Sequence, residues 1–303
     1  MYIHCYTYYD VGLRRIGCTK YVEPSNCIVK STKVLFISQE ITPYMPDTEM
    51  SIIGRNLPQG IRERGKEIRT FMPRWGGINE RRNQLHEVIR LSGMNLVISE
   101  TDHPLIIKVA SIQSARMQVY FIDNEDYFQR KGIFENESGQ EYEDNDERAI
   151  FFARGVLETV KKLRWAPDIV HCHGWFSCFV PLLIKRGYRD DPVFAKSRVV
   201  FSAYNDEFTN PLSTSTRTKL LVEGVTKKDV EPIRDATYLN VMQLAIRHSD
   251  GIIFGNPLKN KSILEYIDSI GKPVLPYLES DKMIDGVNDF YNSLLNAPTH
   301  VKP

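Results

Sequence analysis

No stretch of this 303-residue sequence approaches the roughly 20 consecutive apolar residues of a membrane-spanning helix; the longest apolar run is Cys178 to Ile184. Neither sign of charge is in excess, since 39 Lys and Arg face 38 Asp and Glu for a formal net charge of +1. Binders of nucleic acid or anionic membranes usually carry a basic surplus that neutralises phosphates. Neither partner is therefore expected, and any anion must be met by local groups. Cysteine is scarce and odd in number: Cys5, Cys18, Cys27, Cys172 and Cys178 form no Cys-x-x-Cys pair. That argues against a disulfide framework or a structural zinc site and points to a reducing, cytoplasmic setting. Internal repeats and low-complexity tracts are absent too. What is present, 42% apolar and 25% charged residues, is the make-up of an ordinary globular protein. It excludes fibrous and bulk-disordered classes and suffices for one large α/β domain or two smaller ones.

Residues 1 to 32 hold three of the five cysteines and lack the roughly 7–15-residue apolar core of a secretory signal. They read as a poorly ordered extension, or equally as an upstream start that the working protein does not use. From Lys33 onward, short β-branched runs alternate with helical periods, the pattern of βαβ units around a parallel sheet. Strands are predicted at Lys33 to Ser38, Glu67 to Met72, Leu105 to Ala110, Gln118 to Asp123, Asp168 to Cys172, Arg198 to Ala203 and Gly251 to Gly255. Helical spacing marks about 51 to 64, 144 to 163, 176 to 187, 236 to 248 and 257 to 269, and again Asp281 to Leu295. Two polar stretches, Arg74 to Gly93 and Asn205 to Asp229, read as surface excursions. The expectation is one doubly wound, Rossmann-like α/β domain over 33 to 295, with a tail at 296 to 303.

In such a sheet the ligand crevice lies beyond the carboxyl ends of the strands. That rule selects Gln39 to Ile53, His171 to Val180, Tyr204-Asn205-Asp206 and, before a helix, Glu141 to Arg148. Alternation along a regular strand is expected to leave only one of His171 and His173 facing the crevice, which disfavours both binding one metal. His171 is then a packing residue and His173 a ligand contact at the strand end, an inference weighed evenly against ordinary burial. Asp144 or Asn145 is well placed to cap the following helix, a role about twice as common as ligand contact. Arg81, Arg82 and Arg90 form a basic patch, more often a solvated face than a site.

Taken together and in order, KVLFISQEITPY from Lys33, Gly54 to Pro58, Arg64-Gly65-Lys66, Met117 to Phe128, Tyr142 to Arg148, Pro167 to Trp175, Val180 to Leu183 and Arg198 to Asn205 carry a family likeness. They resemble the N-terminal, starch synthase catalytic domain of bacterial glycogen synthase and plant starch synthase, retaining glucosyltransferases of the two-domain GT-B fold. The likeness runs from about Lys33 to Gly255 and is similar above all to short single-domain members of the Bacteroides group. It implies ADP-glucose as sugar-nucleotide donor, an α-1,4-glucan acceptor, and no metal or other cofactor. By resemblance, Asp144 lies near the donor sugar within Tyr142-Glu143-Asp144-Asn145. His173 contacts the reacting glucose, and Trp175, Tyr142, Asn145, Tyr204 and Asn205 line the substrate site.

The sequence departs from the family at the loop whose Lys-Thr-Gly-Gly approaches the donor diphosphate: here it reads Pro46-Asp47-Thr48-Glu49. Two carboxylates stand where an anion should bind, and like charges 4 Å apart repel by about 4 kcal/mol at an effective dielectric of 20. Asp47 or Thr48 is instead expected to cap the helix internally. Gly174 replaces an aspartate and Tyr204 a histidine. No match to the family's second, nucleotide-binding GT-B domain is expected in this sequence, and the enzyme reading has the chain acting either alone or after pairing with a separate chain that supplies that domain. Two functions follow: a glucosyltransferase domain, or a non-catalytic glucan-binding or regulatory subunit in glycogen metabolism. Exposed aromatics such as Trp75 or Tyr44 would favour glucan binding, although burial is the commoner fate of a lone Trp.

Overall fold

A computed structural model describes residues 31 to 297. All but the end of the expected N-terminal extension, with Cys5, Cys18 and Cys27, and most of the expected tail lie outside the described residues. The strands are β1 (Lys33–Ser38), β2 (Glu67–Pro73), β3 (His86–Glu87), β4 (Met94–Ile98), β5 (Thr101–Ile112), β6 (Met117–Asp123), β7 (Ile169–His173), β8 (Arg198–Ala203), β9 (Gly251–Phe254) and β10 (Val274–Leu275). The helices are α1 (Glu49–Glu63), α2 (Glu125–Phe128), α3 (Asn145–Lys162), α4 (Phe179–Lys185), α5 (Thr216–Lys219), α6 (Lys227–Val230), α7 (Tyr238–His248), α8 (Lys261–Ile270) and α9 (Ser280–Asn296).

One sheet runs β10-β9-β8-β7-β1-β2-β6-β5-β3, with β4 paired to β5. From β10 to β6 every pairing is parallel. The expected doubly wound sheet is therefore present, but β5 is antiparallel to β6. Chain length explains this: only Gln113 to Arg116 separate the two strands, too few residues for the crossover that a parallel pair needs. β4, absent from the sequence-based expectation, joins β5 through Ser99 and Glu100, both at positive φ. That is the geometry of a tight hairpin without its usual Asn-Gly signature.

Strand alternation divides the core. Leu35 and Ile37 of β1 face α3, α4 and α7, whereas Val34 and Phe36 face α1 and α9. The predicted helical spacing in Asp281 to Leu295 gives α9, whose Val287, Phe290, Tyr291 and Leu294 pack on Val34, Phe36, Ile169 and Val200. With the sheet covered on both sides, the carboxyl ends of β1, β7 and β8 open at one edge, where the candidate site lies.

Candidate functional site

Residues two apart on a strand share a face, and His171 and His173 do so with ring centroids 3.9 Å apart. The expectation that only one of them faces the crevice is therefore corrected. Both rings point to the α9 side, beside Phe36. His171 is wholly buried: Nδ1 is hydrogen-bonded to the Tyr291 hydroxyl at 2.5 Å and Nε2 to Ser202 Oγ at 2.7 Å. His173, 1% exposed, is hydrogen-bonded through Nδ1 to the Tyr204 hydroxyl at 2.9 Å. Burial pushes the His173 imidazole down to about 3. Burial, with His173 beside it, pushes His171 well below the usual range too. Both imidazoles are thus neutral near pH 7, suited to hydrogen bonding rather than to carrying charge.

After β7 the chain turns through Gly174 at φ +78° into a 3-10 turn, Trp175–Ser177. The loops after β1 and β8 hold this turn. Gln39 Oε1 accepts from the Phe176 N–H, and Asp206 Oδ2 accepts from the Trp175 N–H at 2.8 Å. Asp206 Oδ1 accepts from the Tyr238 hydroxyl at 2.9 Å. Burial pushes the Asp206 carboxyl up to about 6, against the opposing pull of those donors.

The segment Pro46, Asp47, Thr48 and Glu49 is exposed and leads into α1. Of the two residues expected to cap the helix, Thr48 is the one that does. Its Oγ1 accepts from the Ser51 N–H at 3.0 Å, and Ser51 Oγ accepts from the Thr48 N–H at 2.8 Å, a capping box that satisfies orphan donors internally. Thr48 Oγ1 donates to Glu40 at 2.6 Å, Thr42 Oγ1 donates to Asp47 at 2.8 Å, and Asn256 Nδ2 donates to Glu49 at 3.1 Å. A helix N terminus ordinarily attracts anions. This one is internally capped and ringed by carboxylates.

Asp144 precedes α3 but makes no side-chain cap. Its carboxylate is instead gripped in bidentate fashion by Arg130, at 2.7 and 2.6 Å, which corrects the capping expectation. Asn145 likewise turns inward, donating to the Phe134 carbonyl and accepting from Arg148. Tyr142 lies under the guanidinium groups of Arg130 and Arg148, with ring centroids 4.8 and 5.1 Å away. Arg148 is fully buried and also lies 5.3 Å from the Trp75 ring. Burial pushes it down to about 10, still above neutrality.

The structure thus brings the expected residues together in two groups. One joins His173 to Tyr204, with Asn205 next in the chain and tied to Asn256 and Lys259. The other joins Asp144, Tyr142 and Asn145 to Arg130 and Arg148. Trp175 and Phe134, ring centroids 4.9 Å apart, lie between them. Trp75 and Tyr44 are buried, Trp75 donating from Nε1 to the Gln39 carbonyl, so neither offers an exposed face for stacking a glucan. Arg81, Arg82 and Arg90 are exposed, as expected of a solvated face.

A cleft of about 620 Å³ opens above Trp175, with Phe134 and Phe208 in its wall. Its charged lining is Glu40, Glu135, Glu137, Glu141, Asp206 and Glu207 against Lys131 alone. Glu141 latches the wall: its carboxylate accepts from the Thr209 and Asn210 N–H groups at 2.8 and 2.9 Å. Partial burial pushes this carboxyl up, but those donors outweigh it and hold it below the usual range. Arg130 and Tyr238 lay outside the site segments marked from the sequence, and Gln39 and Arg148 lay inside them without an assigned role. Asp206 stood in a segment selected by the crevice rule.

Residues 33 to 266 match the family model described as the starch synthase catalytic domain. The chain is 32% identical over 269 residues to a glycogen synthase of Chlorobium luteolum, covering 88% of this chain and 53% of that protein. It is 39% identical over 177 residues to the glycogen synthase of Chlorobaculum tepidum, covering 58% and 36%. The chain spans about half the length, or less, of the curated relatives it matches. In fold it is similar to the catalytic domain of starch synthase IV from Arabidopsis thaliana, a structure bound to ADP and acarbose. The TM-score is 0.67 at 17% identity, covering 83% of this chain and 53% of that one. The sheet and its covering helices thus correspond to part of a GT-B glycosyltransferase, and the chain belongs to the starch synthase catalytic domain family.

Proposed function

We propose that residues 33 to 295 form the sugar-handling domain of a glycogen or starch synthase-type glucosyltransferase, and that this chain binds α-1,4-glucan without itself holding the diphosphate of ADP-glucose. The α1 N terminus carries this reading. Its orphan donors are taken by the Thr48–Ser51 capping box, and Glu40, Asp47 and Glu49 surround it. An anion would have to displace that box and face the carboxylates, a double cost that a neutral glucan avoids. On the sugar side, His173 serves as a neutral hydrogen-bonding group for the glucose. Trp175 supports the site from below, and Asp144, held by Arg130, orders the segment that precedes α3.

A second reading is favoured by the match of residues 33 to 266 to a catalytic domain. In it, a separate chain supplies the nucleotide site and the positive charge that glucosyl transfer needs at the leaving group. Isothermal calorimetry with ADP-glucose and, separately, a malto-oligosaccharide tests both. Heat from the oligosaccharide alone supports a glucan-binding module, whereas clear donor binding overturns the closed-loop argument. Where the unaltered chain gives no donor heat, the reversion Pro46→Lys, Thr48→Gly, Glu49→Gly should raise donor affinity if the capped loop is the principal defect.

A further inference from the structure

Position 174 cannot carry a side chain. Its φ of +78° is a glycine conformation, and a Cβ there would lie 2.5 Å from Gln39 Oε1 and 2.9 Å from Asp206 Oδ2. The space beside the β7 turn is therefore filled from the loop that follows β8, by the carboxylate of Asp206. We propose that Asp206 is a substrate-binding residue of this chain, its carboxylate accepting hydrogen bonds from the hydroxyl groups of a neutral sugar in the cleft above Trp175.

Three observations carry the assignment. Asp206 lines the cleft together with the half-buried rings of Phe134 and Phe208, with Trp175 buried beneath, so aromatic surface and a hydrogen-bond acceptor meet at one place. Its two oxygens are fixed by donors from different elements, the Trp175 N–H of the β7 turn and the Tyr238 hydroxyl of α7. Each oxygen keeps acceptor capacity, because an ionised carboxylate offers about four lone-pair sites. The charged lining is acidic apart from Lys131, which disfavours phosphates and carboxylates, and its acceptors suit the hydroxyl donors of a neutral sugar. The assignment rests on the glucan reading above and adds to it the group that recognises the sugar.

The test is calorimetry of the full chain with maltopentaose. Asp206→Asn keeps shape and one acceptor oxygen, and should weaken binding by about 10-fold or more while leaving the melting temperature nearly unchanged. In the unaltered protein, affinity should fall by roughly 10-fold as the pH drops from about 7 to 5, through the Asp206 titration near 6, and the Asn variant should lack that dependence. The titratable groups facing Asp206 are Glu40 after β1, Cys178 before α4, Tyr204, Tyr238 and the adjacent Glu207. The thiol and both phenols are pushed upward, by burial first, and stay neutral over this range. Should Asp206→Asn fail to fold, the pH series on the unaltered chain decides, and an affinity unchanged across it overturns the assignment. Maltopentaose binding that survives Asp206→Asn within about twofold, a change far below one lost charged acceptor, overturns this assignment alone. No heat from the unaltered chain overturns the glucan reading, and this assignment with it.

Discussion

The Tyr204 hydroxyl stands 2.9 Å from Nδ1 of His173, and both side chains are buried where β7 and β8 end side by side. The phenol gives the imidazole a partner inside the protein. Tyr204→Phe strips that partner and leaves a buried ring nitrogen unpaired. The expected loss is about 1–3 kcal/mol of unfolding free energy, read from the urea midpoint with an unchanged slope.

Acid should destabilise the fold before most carboxylates titrate. Burial holds His171, His173 and His248 below their unfolded values, with His173 near 3 and His248 near 4. A depressed histidine contributes stability that is complete above the unfolded value of about 6.5 and is lost as the pH falls toward the folded one. Each such group costs about 1.4 kcal/mol per pH unit below 6.5. Asp206 works in the opposite sense: its value, raised to about 6, favours the folded state as the pH falls through that range, offsetting roughly one histidine. Urea titrations between pH 7 and 4 should show a net decline, and His248→Gln should flatten it.

Thr48→Ala removes one half of the capping box at α1. The expected cost is about 1 kcal/mol, measured by denaturation. Donor affinity should stay unmeasurable, because Glu40 and Glu49 remain in place. A gain in ADP-glucose binding from this single change would show that the cap, rather than the surrounding charge, excludes the anion.

Gly174→Ala places a methyl group against Gln39 and Asp206 at a positive φ. Strain of about 1–3 kcal/mol adds to a comparable overpacking cost, so a loss of at least about 2 kcal/mol is expected in thermal or urea unfolding. Gly174→Asp, which restores the family's residue, should be worse still. A neutral outcome for either would mean that the β7 turn relaxes readily and that position 174 does not dictate where the carboxylate enters.

Much of the fold was legible because its strands are short apolar runs with punctuated ends: β1 and β8 have the predicted bounds to the residue. The β4–β5 hairpin was not, because Ser99 and Glu100 adopt positive φ without the residues that advertise it. At the site, the capping role of Thr48 followed from local pattern, since a helix N-cap is a short-range device. Asp144 did not follow its local pattern. Arg130, 14 residues away, captures its carboxylate, and long-range partners leave no mark on neighbouring positions. The histidine pair was misread through the strand period itself, since a spacing of two selects one face.

The tie between Tyr291 and His171 spans 120 positions of sequence and joins the last helix of the described residues to a central strand. On a ribosome, β1, β7 and β8 emerge well before α9 does. Until Val287, Phe290, Tyr291 and Leu294 arrive, α1 alone shares that side of the growing sheet with Val34, Phe36, Ile169 and Val200, and the flank that α9 will cover stays open to water, with an imidazole among them still lacking its phenol. The nascent chain therefore passes through a stage with a sticky flank, and protection of that flank during translation falls to whatever shields it before residue 296 is made.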